Sequence, residues 1–341
     1  MKTTVGVSAA GPARDLRARG KAHVQLCRKH PTLRPRSPLA RMNRTTLVGR
    51  WVRRLAVRVP RLAGAAHYGA FLAGAALEAG SWERLEQEFG VRLPVLLYHH
   101  VGIPREGTWP SLTVSPERFE AHMAWLKGRG YVGIRSSDWL AWRQEGRPLP
   151  PRPVLLTFDD AYADTAEHAF PVLQRHGFGA AVFAVTARLG RVSTWDEPLG
   201  WTGQRLMTPE QVRHWAARGI EFGAHGRTHP DLRALDDRAL EQEVLGSADD
   251  VEDLLGAPPV AFSYPYGLSD DRVRAAVRRR FRLAFTVELG LNDLGTDPYR
   301  LRRTTIEPSH SRVDLVCAVR SGGNRKTYLD RIGWPLASRK A

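Results

Sequence analysis

The stretch Val154–Asp164 reads VLLTFDDAYAD. Residues suited to a buried strand run directly into two adjacent carboxylates, Asp159 and Asp160, which a folded core has no use for at the end of one of its strands. The neighbouring sequence repeats the pattern. From Leu93 onward short β-rich runs recur, each followed by a helical stretch: PVLLYHHV, VLLTFDD, AAVFAVT, IEFGAHG, PVAFSYPYG and LAFTV. Ser115-Pro116 and Thr208-Pro209 supply an N-cap and a first-turn proline, and Gly128, Gly177, Gly219 and Gly256 are placed to close helices in a left-handed conformation. Strand and helix alternating in this way predict a parallel α/β sheet, and about seven repeats favour a closed barrel over an open one.

Composition limits the alternatives. In 341 residues, 43% apolar and 25% charged, nothing argues for a membrane bundle or a disordered chain. The net charge of +16 is localised: residues 1–60 hold 15 Lys and Arg against the single acid Asp15, so they carry +14 of it and the other 281 residues only +2. Residues 1–60 therefore read as a basic disordered leader, 61–92 as a helical, amphipathic linker, 93–310 as the barrel and 311–341 as a C-terminal extension. Leu62–Leu77 holds no Lys, Arg, Asp or Glu but is short and rich in Ala and Gly, which points to weak membrane-surface contact through residues 44–77. As written the chain reads as cytoplasmic or membrane-peripheral; starting at Met42 it would read as exported or anchored. No specific nucleic-acid partner is expected from a leader of this kind. Cys27 and Cys317 are too few for a disulfide framework or a cysteine metal cluster, so any metal must be held by His and carboxylate.

Four polar clusters fall at the carboxyl ends of predicted strands: Tyr98-His99-His100, Asp159-Asp160, His225-Gly226-Arg227-Thr228-His229 and Tyr264-Pro265-Tyr266-Gly267. In a β/α barrel these ends share one mouth. His225 and His229, at i and i+4, can reach a single ion, and two imidazoles with one carboxylate leave positions open for water. Either Asp159 or Asp160 qualifies as the third ligand, leaving the other to take a proton. The competing structural reading makes Asp160 a helix cap and Asp159 a solvated rim acid.

LLTFDDAYAD, then FGAHGRTHPDL, then FSYPYG resemble the polysaccharide deacetylases of the NodB-homology type, carbohydrate esterase family four, over roughly Leu93–Ile306. The resemblance implies a distorted (β/α)7-type barrel and a metal-dependent hydrolase that removes N-acetyl groups from an amino-sugar polysaccharide or oligosaccharide. It implies Asp159 as the base, and Asp160, His225 and His229 as ligands of a divalent metal, usually zinc. The Tyr266 N–H becomes the oxyanion donor. Tyr264, Pro265 and His99, with Trp195 and Asp196 of the insertion STWDEPLGWTG and its Trp201, become the residues expected to line the N-acetylated glycan; a packed loop is the competing reading of the insertion. Two departures stand out. Gly226 follows the first histidine where the family has Ser or Thr, and Ser263 stands where it has the arginine that holds the base, with Arg302 and Arg303 as possible replacements. No Leu-x-His is present to supply the acid, and His310 in EPSHSRVD, or His99 or His100, is available for that role. Hydrolysis of another non-peptide C–N bond, in a cyclic imide or ureide, and a catalytically lapsed carbohydrate-binding protein are the alternatives.

Overall fold

The computed structural model describes residues 12–42, 67–103, 110–195, 197 and 203–325. Its described residues form two compact units, Met1–Arg92 with Ala141–Pro148 and Asp293–Gly295, and the remainder from Leu93.

In the smaller unit, α1 (Pro12–Lys29) packs along α2 (His67–Ala79), and α3 (Trp82–Phe89) follows. Two glycines allow the first pair to touch backbone to backbone. A Cβ at Gly20 would lie within 2.8 Å of Ala75 N, and one at Gly74 within 2.6 Å of the Arg17 carbonyl carbon. The expected disorder of residues 1–60 therefore fails for Pro12–Met42. Gly20, Val24 and Cys27, spaced as one helical face, are buried and outweigh the surrounding charge. The apolar α2 is covered by protein: Ala70, Leu72, Ala73, Ala75 and Ala76 are all buried. Residues 44–66 of the expected membrane-contacting segment lie outside the described residues, and among those described no helix is long and apolar enough to cross a membrane.

The larger unit is the α/β barrel. Its strands are β1 (Val95–Tyr98), β2 (His100–Val101), β3 (Thr113–Val114), β4 (Val132–Ile134), β5 (Pro153–Asp160), β6 (Ala181–Ala184), β7 (Glu221–Ala224), β8 (Ala261–Ser263), β9 (Leu283–Phe285) and β10 (Thr304–Thr305). The helices are α4 (Pro116–Gly128), α6 (Phe170–His176), α7 (Pro209–Ala216), α8 (Asp237–Leu255), α9 (Asp271–Arg278) and α10 (Arg312–Ser321), while α5 (Ser136–Glu145) belongs to this unit only as far as Leu140. Seven parallel strands run in the order β10-β1-β5-β6-β7-β8-β9, while β4 pairs with the first half of β5 and β2 pairs with β3 apart. The segment Leu301–Thr305 serves both ends of the sheet: Leu301 bridges Phe285, the last residue of β9, and Thr304 pairs with Leu96 of β1. The sheet is thus curled into a distorted barrel, as the alternating pattern predicts.

All eight residues of β5 are buried, the continuous burial of a strand covered on both faces. Phe158 lies there against Tyr98, Phe119 and Phe170. Helix boundaries largely follow their caps: Ser115 and Thr208 cap α4 and α7, and Gly177 and Gly256 close α6 and α8 in left-handed conformations. Gly128 does not close its helix. It is the last residue of α4, and Gly130 takes the left-handed turn. Residues 312–321 also differ from an extension, because Leu315, Ala318 and Val319 of α10 belong to the main core.

Candidate metal centre

β5 delivers Asp159 and Asp160 to the barrel mouth, β7 leads into His225, and the following turn brings back His229. Asp160, Ala161, His229 and Tyr266 all have positive φ, between 57° and 71°. Backbone of this kind costs on the order of 1–3 kcal/mol per residue and persists where the surroundings over-determine it. Gly226, at φ 77°, explains its departure from Ser or Thr: a side chain there would be strained. Glu243 of α8 fixes the turn by accepting from the Arg227 and Thr228 N–H groups and from the Thr228 hydroxyl.

Asp160, His225 and His229 converge in burial, at 4%, 2% and 5% exposure. His225 Nε2 and His229 Nε2 are 3.2 Å apart and lie 3.7 Å and 3.6 Å from Asp160 Oδ1. His225 Nδ1 donates to the Ser263 carbonyl at 2.7 Å, which turns the Nε2 lone pair toward the cluster. Burial lowers the proton affinity of both imidazoles, most strongly for His229, so they stand as neutral ligands. Two neutral imidazoles and a carboxylate facing one another without an intervening cation leave lone pairs opposed, and a divalent ion fits this donor set.

Asp159 faces a different partner. Arg303, fully buried, donates to Asp159 Oδ1 at 2.7 Å and Oδ2 at 2.8 Å. Its Nη2 also donates to Ser263 Oγ at 2.8 Å, its Nε to the Thr286 carbonyl, and Ser263 Oγ donates to Asp159 Oδ2 at 3.1 Å. Burial pushes the Asp159 carboxyl up, but Arg303 and His225 together outweigh it and hold the group below the usual carboxylate range. Arg303 therefore takes the place of the arginine missing at Ser263. Arg302 does not: its side chain lies beside Gly290. Ser263 joins both halves, its carbonyl on His225 and its hydroxyl between Asp159 and Arg303.

The remaining expected residues divide. The Trp195 ring lies tilted 4.8 Å from His229, and the half-exposed Tyr266 ring meets His229 edge-on at 4.5 Å, so both reach the mouth. Pro265 borders Gly226. The register of Tyr98 with Phe158 sets His99 level with Asp159, and its Nδ1 is buried without a partner among the described residues. Tyr264 is a correction: it is fully buried in the core, its hydroxyl on the Tyr299 carbonyl, and offers nothing to a substrate. His310 is a second. Its ring accepts from Glu307 N–H, its carbonyl accepts from Arg118, and none of these bonds goes to the cluster. Asp196 and Trp201 lie outside the described residues. Glu243 carries no local signal in the sequence, because it lies sixteen residues from Arg227, on a helix face.

A family model for polysaccharide deacetylases matches residues 146–280. The candidate polysaccharide deacetylase YxkH of Bacillus subtilis is 26% identical over 235 residues, 69% of this chain and 77% of that protein. The poly-β-1,6-N-acetyl-D-glucosamine N-deacetylase of Staphylococcus epidermidis is 24% identical over 57% of this chain and 68% of that enzyme. Among solved structures, Streptococcus pyogenes deacetylase PplD in complex with acetate superposes with a TM-score of 0.59 at 22% identity, covering 67% of this chain and 98% of that one, a likeness of fold.

Proposed function

We propose, from the premise that this chain belongs to the polysaccharide deacetylase family, that it hydrolyses N-acetyl groups of a β-linked N-acetylglucosamine polymer to acetate and free amine. The observation that carries the reading is the division of labour between adjacent carboxylates: Asp160 faces two imidazoles while Asp159 is kept ionised by Arg303. Asp160, His225 and His229 would hold the ion, and zinc suits two imidazoles and a carboxylate. Bound there, it would supply Lewis acidity toward the acyl oxygen and acidify the attacking water. Asp159 takes the proton from that water; its weakened proton affinity keeps it ready in the carboxylate form. The Tyr266 N–H, on a left-handed turn beside His229, is assigned to the developing oxyanion. We assign to His99, level with Asp159 on the adjoining strand and kept neutral by burial, the relay of that proton from Asp159 to the departing nitrogen.

The lapsed-protein alternative loses support, since a buried arginine does hold the base. Acetate release from β-1,6- and β-1,4-linked N-acetylglucosamine oligomers, with and without chelator, tests the reading. Release that stops on chelation and returns with zinc is expected; no release from either series, or release indifferent to chelation, contradicts it.

A further inference from the structure

The amino ends of the parallel strands carry a pocket that the deacetylase chemistry leaves unused. It measures about 480 Å³ and is lined by Trp125, Arg129, Tyr131, Arg152, Val316 and Arg320, all of the larger unit. Tyr131 and Arg152 immediately precede the paired strands β4 and β5, whereas Asp159 and Asp160 end β5 at the mouth. The eight residues of β5, at about 3.3 Å each, set these two ends roughly 25 Å apart.

The lining offers donors and no acid. Arg129 is the C-cap of α4, Arg320 lies in the last turn of α10, and Arg152 comes from the loop before β5. All three are exposed, and none pairs with a carboxylate among the described residues. The half-buried Trp125 and Tyr131 stack at 6.2 Å, and the Arg129 guanidinium lies 5.8 Å from the centre of the Trp125 ring. A guanidinium lying on a ring keeps its N–H edge free for an anion. Burial raises the proton affinity of the Tyr131 hydroxyl, while Arg152 and Arg320 pull it down, which marks both cations as neighbours of that hydroxyl.

Arg129 and Arg320 stand at helix ends, where a cation complements the dipole. Arg152 has no such reason to be there. It sits between Pro151 and Pro153 with φ 49°, a left-handed backbone that glycine would take without strain and that a residue ahead of proline avoids. Strain of this kind, kept in place, points to use of the side chain. Arg152 Nη1 donates to the Arg129 carbonyl, which fixes the guanidinium beside Arg129 and leaves Nε and Nη2 without a partner among the described residues.

We propose that this pocket binds a phosphate monoester group, its oxygens taken up by Arg129, Arg152 and Arg320 with the Tyr131 hydroxyl as a further donor. One guanidinium fork matches a carboxylate; a phosphate monoester, with three non-bridging oxygens and close to two negative charges, makes use of several. A soluble phosphate ester and the headgroup of phosphatidic acid both present this group, and either would be held facing away from the mouth. The site does not depend on the deacetylase reading.

Calorimetric titration of the zinc-loaded full chain with glycerol phosphate, together with flotation on phosphatidylcholine vesicles with and without phosphatidic acid, tests the site. Arg152→Gly suits the left-handed backbone and removes one guanidinium; Arg320→Gln removes another that is exposed. Melting temperature and zinc content show that the variants remain folded. Each substitution is expected to weaken glycerol phosphate binding roughly tenfold or more, and the double variant to abolish it at this pocket. Phosphate held at the metal centre or on the basic residues 1–60 is common to every variant, so only the binding lost with Arg152 and Arg320 belongs to the pocket. Capture of phosphatidic acid vesicles that the double variant loses identifies a lipid headgroup as the source. Arg152- and Arg320-dependent binding of glycerol phosphate without that difference in capture identifies a soluble ester. Glycerol phosphate binding unchanged in the double variant, or no saturable binding by the native chain, overturns the site.

Discussion

Asp159 and Asp160 are neighbours in the chain, yet the groups that hold them are assembled over very different distances. Asp160 meets two histidines from one turn, four residues apart, stiffened by Glu243. Asp159 meets an arginine 144 residues further on, brought to it only when the sheet has curled and Leu301–Thr305 has joined both of its ends. The metal side is thus a local motif completed by one strand neighbour. The base side is a property of the finished barrel, and Ser263 is the residue through which each side feels the other.

The largest stability effect expected from breaking this arrangement falls on the base side. Arg303→Met leaves a buried carboxylate without its cation and should lower unfolding stability by about 3–5 kcal/mol in denaturant titration. The double variant Arg303→Met with Asp159→Asn should recover a large part of that loss, because the uncompensated charge is gone. Additive losses would show that the two residues are not coupled.

Acid response separates the ion pair from the rest of the core. Burial lowers both His99 and His122 from the ordinary 6.5 to about 4. The unfolded chain therefore takes up these protons first, and stability falls as pH drops from about 6.5 to 4, by up to about 3 kcal/mol for each histidine. Asp159, shifted the other way, keeps its stabilising charge throughout that window and loses it only at lower pH. His122→Gln should remove its own share, up to about 3 kcal/mol, of the decline measured by thermal melts between pH 7 and 4.5, His99, His225 and His229 supplying the rest. An undiminished decline would place the acid sensitivity elsewhere.

Ser263→Ala carries the smallest effect, about 1–2 kcal/mol, since Arg303 still grips Asp159 through two bonds. Its test is a comparison of sides: the metal should still bind, because the Ser263 carbonyl that orients His225 is main chain. Zinc affinity falling together with stability would contradict that separation.

The two sides were unequally legible in the sequence for the same reason. Histidines at i and i+4 after a strand and a carboxylate ending another strand are short-range patterns, readable before any fold exists. Arg302 and Arg303 could not be told apart because adjacent residues of an extended segment face opposite ways, and only the register with β1 and the bridge to β9 decides which one enters the barrel. Tyr264 shows the converse: a residue inside a recognisable motif that serves the core. In the basic leader, the stripe Gly20, Val24, Cys27 was present in the sequence but thin among the charges of α1, and its partner α2 lies some 50 residues away.

Metal content and acetate release measured together on Asp159→Asn test the account most directly. The amide retains the size of the carboxylate and leaves Asp160, His225 and His229 untouched. One divalent ion per chain is expected, as in the native protein, with turnover reduced by about 10²–10⁴-fold, the range for loss of a general base. Native acetate release from this variant, or loss of the ion along with activity, would contradict the division of roles between the two adjacent aspartates.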